Sequence, residues 1–469
     1  MKLLRLLVIA LTTPALAQGP LAPPVVENPA IGPADALTPG GTPQPTMKTL
    51  HQVEPRIAIS ALPFTILESG SYYFTRNLHV TAATGHAITV AASGVTIDLM
   101  GFALSSDPAV TGNGILIDGS RNAVTVRDGT ITGTSRIVIE QVTNEQLAWT
   151  ITQTGGFASG VGNAGDNVPM AKNCRFVDLN VSFCRSIGIT AGEGSRLERC
   201  AARENIGDGF VFQVSELRDC TASTNGTFGG FYTSVAGSTL TSCIASLNEI
   251  AGFVVPGATV SHCQAVGNQN GFSGQRSVIS HSAAYGNSGH GILTNSGSVI
   301  NSTANNNLGD GISATEGTVT NCTANDNSFT GIRADKGSVN QCQTAGNFFE
   351  GIKAYRGSVS HCTATRNGLG GIASFGGAVT ACTSSFNVFE GIWAPFGVVS
   401  GCKATENQQW GILANSGSIS HCNATSNNTS QGAFGGIFCE GAVISFCYSS
   451  NNNGAQYATG SGATQNSNR

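Results

Sequence analysis

Arg333 and Lys353 lie twenty residues apart, and so do Lys336 and Arg356. Tyr355 and Phe375 keep the same interval, and Trp393, Phe396 and Trp410 follow within the next two repeats. If the chain stacks at that period, like charges fall directly opposite one another, an arrangement that costs stability in a sheet. Asp335 and Glu350 offset part of that repulsion. Cations beside exposed aromatic rings suit a chain of acidic sugars. The rings stack on pyranose faces while Arg and Lys take up carboxylates. The same residue types could also serve elimination or epimerisation on a uronate, which needs a cation on the carboxylate and a base for the α-proton. Arg333 and Arg356 would fill the first role, and Lys353 or Tyr355 the second. A solvated face with splayed side chains is the bland alternative.

The period itself is written in the cysteines. Cys322, Cys342, Cys362, Cys382, Cys402 and Cys422 recur every twenty residues, each followed five residues later by asparagine, from Asn327 to Asn427. A Gly-Ile pair follows each asparagine, as in Gly331-Ile332 and Gly351-Ile352. A fixed period of this size means a solenoid whose coils rest on one another. In residues 351–370, Ile352 and Ala354 alternate with Lys353, Val359 opens a second apolar segment, and Cys362 with Ala364 marks a third. Three short strands per coil predict an all-β, right-handed parallel β-helix with cysteine and asparagine ladders. Gly351, Gly357 and the Asn367-Gly368 pair are expected to supply the corners. No window has helical spacing, and the eighteen-residue hexapeptide pattern of left-handed helices is absent.

Stacked cysteines sit about 4.8 Å apart with parallel side chains, whereas a disulfide needs Cβ atoms about 3.8 Å apart. Ser282 and Ser302 fill two ladder positions without pairwise loss, so the column reads as buried thiols. His262, His281, His361 and His421 recur just before the ladder and read as polar corner residues, since two neighbouring histidines alone make a poor metal site.

The ends divide the chain further. Residues 1–17 read as a signal peptide cleaved after Ala17, which places the protein in the periplasm or outside the cell. Residues 18–46 form a proline-rich linker, 47–80 a cap with Tyr72, Tyr73 and Phe74, and 81–133 irregular coils. An insertion at 134–172 carries Glu140, Glu145, Trp149, Phe157 and Asp166, regular repeats run over 173–452, and 453–469 is a disordered tail. Only 11% of residues are charged and the net charge is −4, which argues against a nucleic-acid partner. No segment is apolar enough to predict a membrane partner, and nothing speaks to the oligomeric state.

The runs Leu62-Pro-Phe-Thr, Ser69-Gly-Ser-Tyr-Tyr-Phe, Val95-Thr-Ile-Asp-Leu-Met-Gly-Phe and Val124-Thr-Val-Arg-Asp-Gly-Thr-Ile resemble exported bacterial right-handed parallel β-helix repeat proteins. The resemblance covers about residues 55–450 and implies the pectate-lyase-like fold, with little about activity. No cofactor is implied. Calcium stays open, without the aspartate cluster that binds it in pectate lyases. Hydrolysis is disfavoured: Gly289-His290-Gly291 falls in the ordinary repeat frame, with none of the paired aspartates or Arg-x-Lys of polygalacturonases beside it. Asp310, Glu350 and Glu390 stand two coils apart in one column, about 9.6 Å, at the upper limit for inverting glycosidases. Three functions remain in order: recognition of an extracellular or cell-wall polysaccharide, a structural or adhesive rod, and a uronate lyase or epimerase.

Overall fold

The computed structural model describes residues 56–142, 146–162, 170–430, 432, 434–441, 443–460 and 464–466. The expected signal peptide and linker lie outside these residues. Every element among the described residues is a strand. They wind into a right-handed parallel β-helix of about 18 turns.

One coil shows how the repeat closes. Ile332–Arg333 belongs to the first ladder, Ser338–Asn340 to the second and Gln343–Ala345 to the third. Each pairs in parallel with its equivalent twenty residues on, as in Arg333 with Lys353, Val339 with Val359 and Thr344 with Ala364. Ile332, Ala334, Val339 and Cys342 point inward and are buried. In the wider coils upstream, Phe210, Phe231, Phe253 and Phe272 stack at 4.7–4.9 Å in the row that Ile292 and Ile312 continue.

The chain turns at three left-handed residues per coil, five apart: Lys336 (φ 58°), Gln341 (φ 54°) and Gly346 (φ 65°). On the next coil the same places hold Arg356, His361 and Arg366. Gly351 and the Asn367-Gly368 pair do lie at bends and Gly357 follows the Tyr355-Arg356 turn, but none of these glycines has a left-handed φ. Their requirement is steric. A Cβ on Gly351 would stand 2.5 Å from Asn367 Nδ2, and one on Gly357 2.5 Å from the Gly337 carbonyl. His262, His281, His361 and His421 all occupy the middle corner, where His262 and His281 stack ring on ring at 5.0 Å.

Two polar columns tie coil to coil. Asn347 Oδ1 accepts the Asn327 N–H (3.0 Å) and the Asn327 side-chain amide (2.9 Å). Its own Nδ2 donates to Asn367 Oδ1 (3.0 Å) and to the Ala324 carbonyl (2.9 Å). A buried amide with every hydrogen bond made is a stable unit, and a gap in the column leaves its neighbours unpaired. The cysteine column works alongside it. Cys342 N–H donates to Cys362 Sγ (3.4 Å), while the single Cys342 thiol proton has the Asn340 carbonyl of its own coil at 3.2 Å and the Val319 carbonyl of the coil before at 3.6 Å. All fourteen cysteines are free and buried. Ser282 and Ser302 take over the role, with Ser282 N–H donating to Ser302 Oγ at 3.2 Å. Burial pushes the Cys184 thiol up to about 12, which suppresses its thiolate.

Of the expected cap at 47–80, residues 47–55 lie outside the described residues; within the rest, Ile57–Ile59 pairs with Gly70–Phe74, and Phe64–Ile66 pairs with Ile88–Val90. Arg136–Val142 and Gln146–Gln153 leave the solenoid as an antiparallel hairpin, in which Ile139 opposes Trp149. Phe157 returns to the core, fully buried, while Glu145 and Asp166 lie outside the described residues. In the stretch expected to be disordered, Ala455–Thr459 and Thr464–Asn466 add strands to the preceding coil. No helix among the described residues is long and apolar enough to cross a membrane.

Two measurements check this account. Titration of the unfolded, unreduced protein with a thiol reagent should count fourteen thiols, and a count lower by pairs would reveal disulfides. Asn347→Ala should lower stability by roughly 3 kcal/mol, seen as an earlier denaturation midpoint, because it strands the Asn327 donors and the Ala324 carbonyl.

Candidate functional site

The outward residues of the first ladder form one row in strict register: Ser313, Arg333, Lys353, Ala373, Trp393 and Leu413. Arg333 and Lys353 are therefore immediate neighbours. Their mutual repulsion is offset by interleaved carboxylates: Arg333 Nε donates to Asp335 (2.9 Å) and Lys353 Nζ to Glu350 (3.2 Å). Lys336, one corner further on, donates to Glu316 at 3.0 Å. Asp335 and Glu350 were expected to act this way, whereas Glu316 emerges only from the stacking. Exposed pairs of this kind are worth about 0–1 kcal/mol each, so the cations remain exchangeable.

A cleft of about 480 Å³ opens beside Arg333 and Lys353. One wall is the ring pair Phe329 and Phe349, stacked at 5.1 Å and exposed to solvent on Phe329. At its far end stand His290 and Asp310, in the column that continues through Thr330 to Glu350. On three successive coils this column also has a structural duty: its side chain accepts a backbone N–H from the next coil. Asn270 Oδ1 accepts the His290 N–H (3.0 Å), His290 Nδ1 that of Asp310 (3.2 Å), and Asp310 Oδ1 that of Thr330 (3.1 Å). The hydrogen-bond network thus assigns the His290 proton to Nε2. Burial raises the Asp310 carboxyl, against the opposing pull of His290, the Thr330 N–H, Arg333 and Lys353.

The opposite side of the row carries a second group of rings. Tyr355 stacks on Phe375 at 5.2 Å, Phe375 meets Phe396 edge-on at 5.3 Å, and the Arg356 guanidinium lies 5.3 Å from the Tyr355 ring. Tyr355, Trp393 and Phe396 are exposed. Arg333, Lys353 and Trp393 thus share one row, with Tyr355, Phe375, Phe396, Lys336 and Arg356 at the turn that follows it. Trp410 does not join them. It is only 8% exposed and packs against Phe438 at 5.2 Å, which removes it from the expected binding surface. His290, Thr330, Phe329 and Phe349 line the cleft beside the expected Arg333 and Lys353. Their signal was the same twenty-residue spacing, carried by the turn rather than by the strand.

A second set of charges lies upstream, where the twenty-residue interval sets Arg196 opposite Glu216, Glu198 opposite Arg218 and Arg199 opposite Asp219, the opposite-charge stacking that a sheet favours. Arg196 bridges to Glu216 at 2.7 Å, as stacking predicts. Arg199 turns back to Asp178, with both carboxylate oxygens engaged at 2.7 and 2.8 Å, instead of facing Asp219. Glu198 likewise takes Arg175 at 2.9 Å rather than Arg218.

No family model matches this chain, and no curated protein does. Among solved structures, the A-module of the Azotobacter vinelandii mannuronan C-5 epimerase AlgE4 is 15% identical, over 84% of this chain and 91% of that one, with a TM-score of 0.34. The periplasmic alginate epimerase AlgG is 11% identical, over 82% and 78%, at 0.21. A mannuronic acid specific polysaccharide family 6 lyase from human gut microbiota is 8% identical, over 76% and 81%, at 0.34. The coil register itself defines the class: this is a parallel β-helix repeat protein. Its chemistry has to be read from the groove.

The corner column can be tested away from the groove. Asp208 holds the same place, accepts the Phe228 and Gly229 N–H groups at 2.8 Å each, and is pushed up to about 6 by burial. A carboxyl raised in the folded state binds its proton more tightly there than in the unfolded chain. Stability therefore falls as pH rises from the ordinary carboxylate range through about 6. Asp208→Asn keeps an acceptor oxygen without the charge. It should be the more stable protein at neutral pH, by up to roughly 3 kcal/mol, with the advantage gone near pH 3. Denaturation midpoints at the two pH values measure this.

Proposed function

We propose that the groove of the first ladder binds a polysaccharide bearing uronate groups. The observation that carries this reading is the pairing of Arg333 with Lys353 on adjacent coils, between exposed aromatic rings on both sides. Arg333 is held through Nε, which leaves the guanidinium fork to meet a carboxylate, and Lys353 adds a point charge one coil away. The rings supply apolar faces for the pyranose units between charges.

A binding role suits the residues better than catalysis. Elimination or epimerisation would need a free base beside the cations. Lys353 Nζ donates to Glu350, the Tyr355 ring packs against Phe375 and the Arg356 guanidinium, and the His290 Nδ1 lone pair is occupied by the Asp310 N–H. A purely structural role for the coil would give no use to the exposed ring surface of Phe329, Tyr355, Trp393 and Phe396.

The test is binding of the protein to uronate and neutral polysaccharides, with and without calcium. A polyuronate should bind more weakly as salt rises, since screening acts on exposed charge pairs. Arg333→Ala/Lys353→Ala should weaken it by roughly a hundredfold, the loss of two charge-assisted contacts. Lys403→Ala, on the third ladder, should leave it unchanged. Equal binding by the double variant, or no binding to any glycan, would defeat the proposal.

A further inference from the structure

The row that holds Arg333 runs on toward the N-terminal coils, where it meets a second aromatic platform. Tyr232 pairs with Val254, Val254 with Ser273, Ser273 with Leu293, Leu293 with Ser313, and Ser313 with Arg333. Tyr232 is thus five coils from Arg333 in the same outward row, roughly 24 Å at the usual strand spacing. Its ring stacks on Phe228 at 5.0 Å and 22°, and Phe228 is 51% exposed. Val254, Ser273, Leu293 and Ser313 between them are neutral, and each is at least half buried. They form a smooth track with no charged side chain in the row. In the other direction, Trp393 stands three coils past Arg333.

We infer that Phe228 and Tyr232 form a remote subsite for the same polysaccharide chain, which rests on the function proposed above. A chain laid along the first ladder, with a carboxylate on Arg333 and Lys353, reaches the Phe228 and Tyr232 rings only if it spans five further coils. A trimer held at the cations is too short. Exposed rings stacked on each other still present one face to solvent, the surface that takes a sugar ring. The second contact is then intramolecular, and affinity rises with chain length until the platform is reached.

The experiment compares a uronate trimer with a long fraction of the same polymer, mannuronan and polygalacturonate each being tried, on the full chain. The long fraction should bind tighter than the trimer. Phe228→Ala/Tyr232→Ala should weaken the long fraction by about three- to tenfold and leave the trimer unchanged. Ser273→Glu touches neither site but sets a negative charge in the track, and it should produce the same selective loss. A long-to-trimer ratio that stays as in the parent protein in both variants would overturn the inference. If Arg333→Ala/Lys353→Ala still abolishes binding in that case, the function proposed above stands alone. Absence of binding by either length in the parent protein would remove both.

Discussion

The amide column from Asn205 to Asn452 is the interaction on which the rest of this structure depends. From Asn225 on, each asparagine oxygen accepts two hydrogen bonds from the coil before it, one from the backbone and one from the side chain, as Asn387 does from Asn367. The bonds are buried, so a coil displaced by one residue would leave unpaired donors in a dry interior, at about 1–3 kcal/mol each. Slippage would also turn every outward side chain inward. Register is therefore fixed coil by coil. Only because of that does a residue have one defined neighbour above and one below, twenty positions away.

That constraint explains what the sequence makes legible. The cysteine, asparagine and Gly-Ile columns are inward or corner features whose spacing cannot vary, and they disclose the fold directly. The corners themselves are harder to read. A glycine in a repeat can answer a need for left-handed φ or a need for space, and the letters do not distinguish these. Here Gly351 and Gly357 answer the second need, while Arg356, His361 and Arg366 carry the turns. A left-handed residue with a Cβ costs about 1–2 kcal/mol, a price set against the pairing of each whole coil. The charges of Arg199 and Glu198 show a related limit. Register names the residue opposite, but a long side chain at a left-handed corner reaches back to the previous coil as easily as forward.

The groove was legible where it is made of strand and obscure where it is made of turn. Arg333 and Lys353 stand out because like charges at the repeat interval contradict sheet stability. His290 and Thr330 look ordinary in the sequence because they sit at turn positions of the regular repeat, where Asn270, His290 and Asp310 each accept a backbone N–H from the next coil. Trp410 misleads for a different reason. The repeat from Asn427 to Asn452 is twenty-five residues rather than twenty, and the longer coil brings Phe438 and Gly435 against the indole. A ring exposed in a regular repeat is covered beside an irregular one.

The carboxylates that let the cations stack also shape what the groove accepts. Arg333, Lys353 and Lys336 each hold an acidic partner, so an incoming carboxylate must exchange with one already present. Arg333 and Lys353 are themselves about half exposed, so the exchange costs little, and a free anion gains only the charge-assisted contacts it makes there. A polymer gains more, since its apolar ring faces meet Phe329, Phe349, Tyr355, Phe375 and Trp393 while its charges trade partners. Selection for a chain over a single acid thus follows from neutralising the like-charged stack, which the fold requires in any case.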